Sequence, residues 1–121
     1  MTRVLVVEDD ADTRLLLRRR VATEGHGVDD VATGEAALEA LRERDYDLVI
    51  LDVRLPGIMG WEVIRTMAAD PRLAEVPVLL CTITEPDDAP AGIESVGWLA
   101  KPFTRHDLGA ALQAALAKPG S

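Results

Sequence analysis

A single cysteine, Cys81, occurs in the chain, so an internal disulfide is ruled out. Its place inside an apolar run marks it as a small buried hydrophobe in a reducing compartment. Long apolar runs are missing too. None approaches the roughly 20 residues that cross a bilayer, and Met1-Thr2-Arg3 leads straight into a strand-like run with no apolar signal region. A cytoplasmic protein without membrane contact is expected. Basic residues are scarce, 13 against 21 acidic, and the formal charge of −8 repels nucleic-acid phosphates and anionic lipid. Direct nucleic-acid binding by this chain is not expected, whereas a divalent cation is favoured wherever carboxylates converge. A glycine-rich phosphate loop after the first strand is also lacking, which argues against a dinucleotide or flavin fold. The chain shows no internal repeat, low-complexity tract or linker.

With 48% hydrophobic residues in 121, one domain can bury a core without disulfide or metal staples. Apolar runs of strand length occur at Val4 to Val7, Leu48 to Leu51 and Val78 to Cys81, with weaker ones near Val28 to Val31 and Trp98 to Ala100. Helical spacing lies between them. It is clearest at the end, where Leu108, Ala111, Leu112, Ala115 and Leu116 share one face behind a Thr104-Arg-His-Asp107 cap. Leu16, Leu17 and Val21 mark a first helix, Ala37, Leu38 and Leu41 a second, and Val63, Ile64, Met67 and Ala68 a third. Strands alternating with helices predict right-handed βαβ units and a mostly parallel sheet covered on both faces. Pro86 and Pro90 predict a short or irregular fourth helix between Thr84 and Ser95. The closing Lys118-Pro-Gly-Ser121 reads as a flexible tail.

The stretch "DLVILDVRLPG", Asp47 to Gly57, ends an apolar strand on Asp52. The first strand likewise runs into Glu8, Asp9 and Asp10, the fourth ends at Thr82, and Lys101 follows the fifth. In parallel sheets the carboxyl edge is where chemistry sits. If the first and third strands are neighbours, Glu8 and Asp9 face Asp52. Like charges at ~4 Å repel by on the order of 4 kcal/mol at an effective dielectric of 20, so such a cluster needs a cation, a proton or a lysine. Hard oxygen ligands suit Mg²⁺. Taken singly, each residue has a plainer reading. An acidic triplet before a helix caps it, an Asp ahead of Pro56-Gly57 forms a turn, a strand-end Thr reflects β propensity, and Lys-Pro is a loop. It is the ordered set that carries chemistry.

From Arg3 to about Leu116, "VLVVEDD", "DLVILDVRLPG", "GWEVIR", "PVLLCT" and "GWLAKPF" together resemble a response-regulator receiver domain of two-component signalling. The resemblance implies one receiver domain over residues 1–121 with the flavodoxin-like (βα)5 fold, a three-layer sandwich on a parallel five-stranded sheet in the order 2-1-3-4-5. It implies Asp52 as phosphoacceptor for a histidine kinase or histidine phosphotransfer protein, and Asp9 as a direct Mg²⁺ ligand. Glu8 would act mainly through metal-bound water, and the Arg54 backbone carbonyl would be a further ligand. Thr82 and Lys101 would bind phosphoryl oxygens, and Trp98 would follow Thr82 as a switch. Such a module is not an enzyme on external substrates; it promotes only its own phosphorylation and dephosphorylation. It passes the signal to a protein target or a fused output domain, and a homodimer formed on phosphorylation is allowed.

Three features depart from the family's pattern. Met59 replaces the usual acid or Asn at a position peripheral to the chemistry. Ile83 stands where a small residue is usual, and a branched side chain there is expected to narrow the path to Asp52, so phosphorylation by small donors and water attack are both expected to be slow. The proline-bearing fourth connection puts the usual output face in doubt. Arg54, Ile83 and Thr84 flank the pocket. A phosphate-independent interaction module of receiver shape is the alternative, separable by phosphate-dependent Trp98 fluorescence. An aspartate-nucleophile phosphatase would need a second acid where Arg54 stands, and arginine cannot donate that proton.

Overall fold

The computed structural model describes residues 2–55, 57–58, 60–82, 97–101 and 103–117. Five strands form one sheet: β1 (Arg3–Val7), β2 (Gly27–Val31), β3 (Leu48–Leu51), β4 (Val78–Thr82) and β5 (Gly97–Ala100). Their order is β2-β1-β3-β4-β5, and every pairing is parallel. The helices among the described residues are α1 (Ala11–Thr23), α2 (Gly34–Glu43), α3 (Gly60–Ala69) and α4 (Arg105–Ala117). The two weaker strand readings and the parallel sheet are thus observed. The expected short or irregular fourth helix at 84–95 and the tail at 118–121 lie outside the described residues. No helix among the described residues is long and apolar enough to cross a membrane.

Because successive strand side chains point to opposite faces, each apolar run feeds two cores. Leu5, Val7, Val49, Leu51 and Leu80 pack with Ala37 and Leu41 of α2 and Val63, Ile64 and Met67 of α3. On the other face Val4, Val6, Leu48, Ile50, Leu79, Cys81 and Leu99 pack with Leu17 and Val21 of α1 and Leu108, Leu112 and Ala115 of α4. A sheet covered on both sides explains why these strands read as continuous apolar runs rather than alternating ones. Burial pushes the Cys81 thiol up to about 12, in keeping with its reading as a small buried hydrophobe.

Helix faces follow the spacing with two exceptions. Leu16 is 48% exposed beside Leu15, and Ala68 faces solvent, so neither joins the core that its neighbours enter. The final cap is as expected: the Asp107 amide donates to Thr104 Oγ1 at 3.0 Å and the Thr104 amide to Asp107 Oδ2 at 3.0 Å. Hydrogen bonding of its carboxylate by the Thr104 backbone amide and side chain holds Asp107 below the usual carboxylate range. The edge strand β2 carries a carboxylate toward each face. Asp29 meets Arg3, Arg44 and the Tyr46 hydroxyl, while Asp30 meets Arg14 and Arg18. Charges on an edge strand oppose pairing with another chain.

Candidate functional site

The parallel register fixes what gathers at the carboxyl edge. Val7 of β1 lies opposite Leu51 of β3, and the ladder continues one step, with the Glu8 amide donating to Val31 O at 3.1 Å and the Asp52 amide to Val7 O at 3.0 Å. Glu8 and Asp52 therefore leave adjacent strands at one level. Carboxylate oxygens of Glu8, Asp9 and Asp52 lie within 4.8 Å of one another. Glu8 is 1% and Asp52 7% exposed, whereas Asp9 is exposed. The acidic triplet is thus divided. Asp10 stays outside the cluster as the N-cap of α1, accepting from the Thr13 amide at 2.8 Å and hydroxyl at 2.6 Å, and these bonds lower its carboxyl below the usual value.

Lys101 supplies the counter-charge. Leaving β5, its ammonium donates to Glu8 Oε1 and, at 3.1 Å, to Asp52 Oδ2. Burial pushes the Glu8 carboxyl up to about 7, with the Asp52 charge adding to the rise and Lys101 opposing it. Burial alone would lower the Lys101 ammonium, but hydrogen bonds to the two carboxylates and their charge outweigh it and hold it above its usual value. Two nearly buried acids sharing one lysine form an electrostatically loaded crevice, because solvent screens little there. Its donors are hard oxygens, as the chemistry of a small divalent cation requires.

The turn after β3 is held from both ends. The Arg54 amide donates to Asp52 Oδ1 at 3.0 Å, fixing one carboxylate oxygen, while the Arg54 residue itself is exposed. The α3 start presses on the same turn: the Gly60 amide donates to Val53 O at 2.8 Å, and a Cβ there would lie 2.6 Å from the Asp52 carbonyl and 2.7 Å from Val53 Cα. Helix preference favours alanine over glycine by about 1 kcal/mol, but overpacking typically costs about 1–3 kcal/mol. Backbone atoms cannot rotate away, so the steric term wins. Gly60→Ala should therefore lose about 1 kcal/mol net, read as a lower urea midpoint; a raised midpoint would show that the turn yields freely.

Of the sequence-predicted set, Glu8, Asp9, Asp52 and Lys101 are brought together by the fold. Thr82 closes β4 opposite Ala100, and Trp98 lies in β5 opposite Leu80; only this backbone register is described for the two. Ile83, Thr84, Met59 and Pro102 lie outside the described residues. One contributor escaped the sequence reading. Arg14 of α1 donates from Nη1 to the Glu8 carbonyl at 3.0 Å, and one arginine among four in the same helix gives no sign of that.

Comparison with known proteins sets this geometry in context. Residues 4–113 match the family described as the response regulator receiver domain. The transcriptional regulatory protein TcrA of Mycobacterium tuberculosis is 42% identical over 115 residues, covering 93% of this chain and 45% of that protein. The chain spans about half the length of the curated relatives it matches. Among solved structures, the chemotaxis response regulator CheY4 of Vibrio cholerae superposes with a TM-score of 0.89 at 28% identity, over 96% of this chain and 99% of that one. The response regulator TrrA of Thermotoga maritima, in complex with Mg²⁺ and BeF, superposes with a TM-score of 0.83 at 30% identity, over 96% and 100%. Sheet order, the acid crevice and sequence similarity along nearly the whole chain agree, and the chain belongs to the response regulator receiver domain family of two-component systems.

Proposed function

We propose that Asp52 accepts a phosphoryl group from the phosphohistidine of a histidine kinase or histidine phosphotransfer protein. The observation that carries this reading is the convergence of Glu8, Asp9 and Asp52 within 4.8 Å beside a lysine that touches both buried acids. In the step, an Asp52 carboxylate oxygen bonds to phosphorus as the P–N bond of a phosphohistidine protonated on its other ring nitrogen breaks, leaving an acyl phosphate on Asp52 and a neutral imidazole. Phosphoryl transfer asks the protein mainly to hold nucleophile and donor in line and to neutralise the equatorial oxygens. Lys101 would turn from Glu8 and Asp52 toward those oxygens, with the Thr82 hydroxyl as a second donor.

The donor set fits Mg²⁺. Asp9 and Asp52 would hold it with the Arg54 carbonyl, and Glu8 would act through its water, as suits an ion that keeps part of its hydration shell. When bound, the ion supplies positive charge to the phosphoryl oxygens. Glu8, Asp9 and the ammonium of Lys101 would otherwise orient the acceptor, and the exposed Arg54 would flank the route to it.

Phosphorylation adds up to two negative charges at the crevice rim. Thr82 and Trp98 would respond together and shift an existing equilibrium between two surface arrangements. We read residues 1–121 as one cytoplasmic receiver domain that promotes only its own phosphorylation and dephosphorylation. Its output goes to a protein target or to a fused output domain, the latter supported by the greater length of the matched relatives. A homodimer formed on phosphorylation is one form that output can take. Intact mass after incubation with acetyl phosphate, prolonged because small donors are expected to react slowly, tests the reading. One PO₃ increment should form with Mg²⁺ and none with EDTA; no increment under either condition would leave the phosphate-independent interaction module.

A further inference from the structure

The geometry points to Arg14, braced by Asp30, as a positioning residue that sets the acid pair for its cation; this rests on the reading of the crevice as a cation site. Between the last ladder bond of β1, Glu8 N to Val31 O at 3.1 Å, and the first helical bond of α1, Arg14 N to Asp10 O at 2.9 Å, the chain must turn from strand to helix. The carbonyls of Glu8 and Asp9 fall in that gap, beyond the reach of either regular ladder. Arg14 reaches back to them. Its Nη1 donates to Glu8 O at 3.0 Å and stands 3.5 Å from Asp9 O, while its Nε pairs with Asp30 Oδ2 at 3.2 Å. Asp30 is held in turn through its other oxygen by Arg18 Nη1 at 2.9 Å. A planar guanidinium with donors on two edges can bridge a carbonyl and a carboxylate at once, which an ammonium cannot do with the same geometry.

The bridge ties two elements to one short turn. Asp30 belongs to the edge strand, Arg14 to α1, and the carbonyls to the residues whose side chains form two of the three acids. Fixing the backbone at Glu8 and Asp9 fixes where their Cα–Cβ bonds leave, and so where both carboxylates point. Groups that orient metal ligands in this indirect way commonly alter affinity tenfold or more when removed.

Electrostatics alone predicts the opposite sign. Arg14 is a positive charge beside an acidic cluster, and by Coulomb's law its removal should tighten the binding of any cation. A neutral substitution therefore separates the two effects by direction rather than by size. With full-length chain, Mg²⁺ affinity by isothermal titration should weaken about tenfold or more in Arg14→Gln. It should change by no more than about twofold in Arg18→Gln, which removes the same charge but touches only Asp30. Arg14→Lys keeps the charge and loses the fork, so lysine should not restore affinity; Asp30→Asn should fall between the two. In the metal-free protein, amide exchange at residues 9–11 should quicken in Arg14→Gln and stay unchanged in Arg18→Gln, a readout independent of the ion. Unchanged or tighter Mg²⁺ binding in Arg14→Gln would overturn the positioning role, as would full restoration by lysine. Wild-type protein that binds no Mg²⁺ would instead refute the cation reading itself and this role with it.

Discussion

Asp52→Asn should leave the chain folded and unable to gain a PO₃ increment from acetyl phosphate with Mg²⁺. The amide has the shape of the carboxylate, so the Arg54 amide, 3.0 Å from Asp52 Oδ1, keeps an acceptor and the turn keeps its form. What changes is charge, together with the second oxygen: the atom that Lys101 meets at 3.1 Å becomes an amide N–H donor, so that contact is lost. A neutral amide oxygen is a poor nucleophile toward phosphorus, and the cluster loses one of three carboxylates. A unit charge at ~4 Å is worth about 4 kcal/mol at an effective dielectric of 20. If only a third of that survives solvent competition, Mg²⁺ affinity falls about tenfold. Far-UV circular dichroism and the urea midpoint check the fold, since a variant that unfolds would lose phosphate uptake trivially. A wild-type mass increment on folded Asp52→Asn would move the acceptor elsewhere in the crevice, with Asp9 the first alternative, and Asp9→Asn would then be the variant that loses the increment.

The parts of this site legible in the sequence were those in which local chemistry and sheet topology coincide. A parallel strand buried on both faces has no room for a polar residue until it ends, so Asp52 after Leu48–Leu51 and Glu8 after Arg3–Val7 announce the carboxyl edge directly. Neighbouring strands then bring them together. The cap at Thr104 and Asp107 was equally visible, because it depends on four consecutive residues. Other features depend on partners distant in sequence and on geometry rather than residue type. Asp10 belongs to the same acidic triplet as Glu8 and Asp9, yet the hydroxyl and amide of Thr13 claim it for the helix; composition cannot separate a cap from a ligand one residue away. Leu16 has the spacing of a core residue but is 48% exposed, since α1 presents Leu17 and Val21 to the sheet and one more apolar position is not needed there. Gly60 reads as an ordinary helix start until the carbonyl of Asp52 is seen beneath it. Arg14 lies six residues from the carbonyl it holds, and no pattern in an arginine-rich helix marks one guanidinium as turned inward.

Lys101→Met should make the stability of the metal-free protein depend on what else can neutralise Glu8. The lysine donates to Glu8 and Asp52, and its side chain is only 18% exposed. Removing one partner from a buried pair typically costs about 3–5 kcal/mol, because the remaining charge is left uncompensated. Partial solvent access at Lys101 places this case near the low end, about 3 kcal/mol. Methionine fills much of the same volume, which limits any cavity contribution. The cost should vary with pH in a defined direction. Burial raises the Glu8 carboxyl from 4.5 to about 7 even with the lysine present, and without it the rise is larger. The folded state therefore holds a proton on Glu8 over a range where the unfolded chain has released it. In that range stability increases as pH falls and is lost as pH rises through the folded value. A protonated Glu8 needs no cation, so the gap between wild type and Lys101→Met should be widest near pH 8 in EDTA and narrow toward pH 5. Added Mg²⁺ should narrow it from the other side, since an ion present at ~100 times its Kd stabilises by about 2.7 kcal/mol and no longer competes with the ammonium. Urea midpoints at the two pH values, with EDTA or Mg²⁺, measure all four corners. Equal midpoints at pH 8 in EDTA would mean that water, rather than Lys101, screens the carboxylates in the resting crevice.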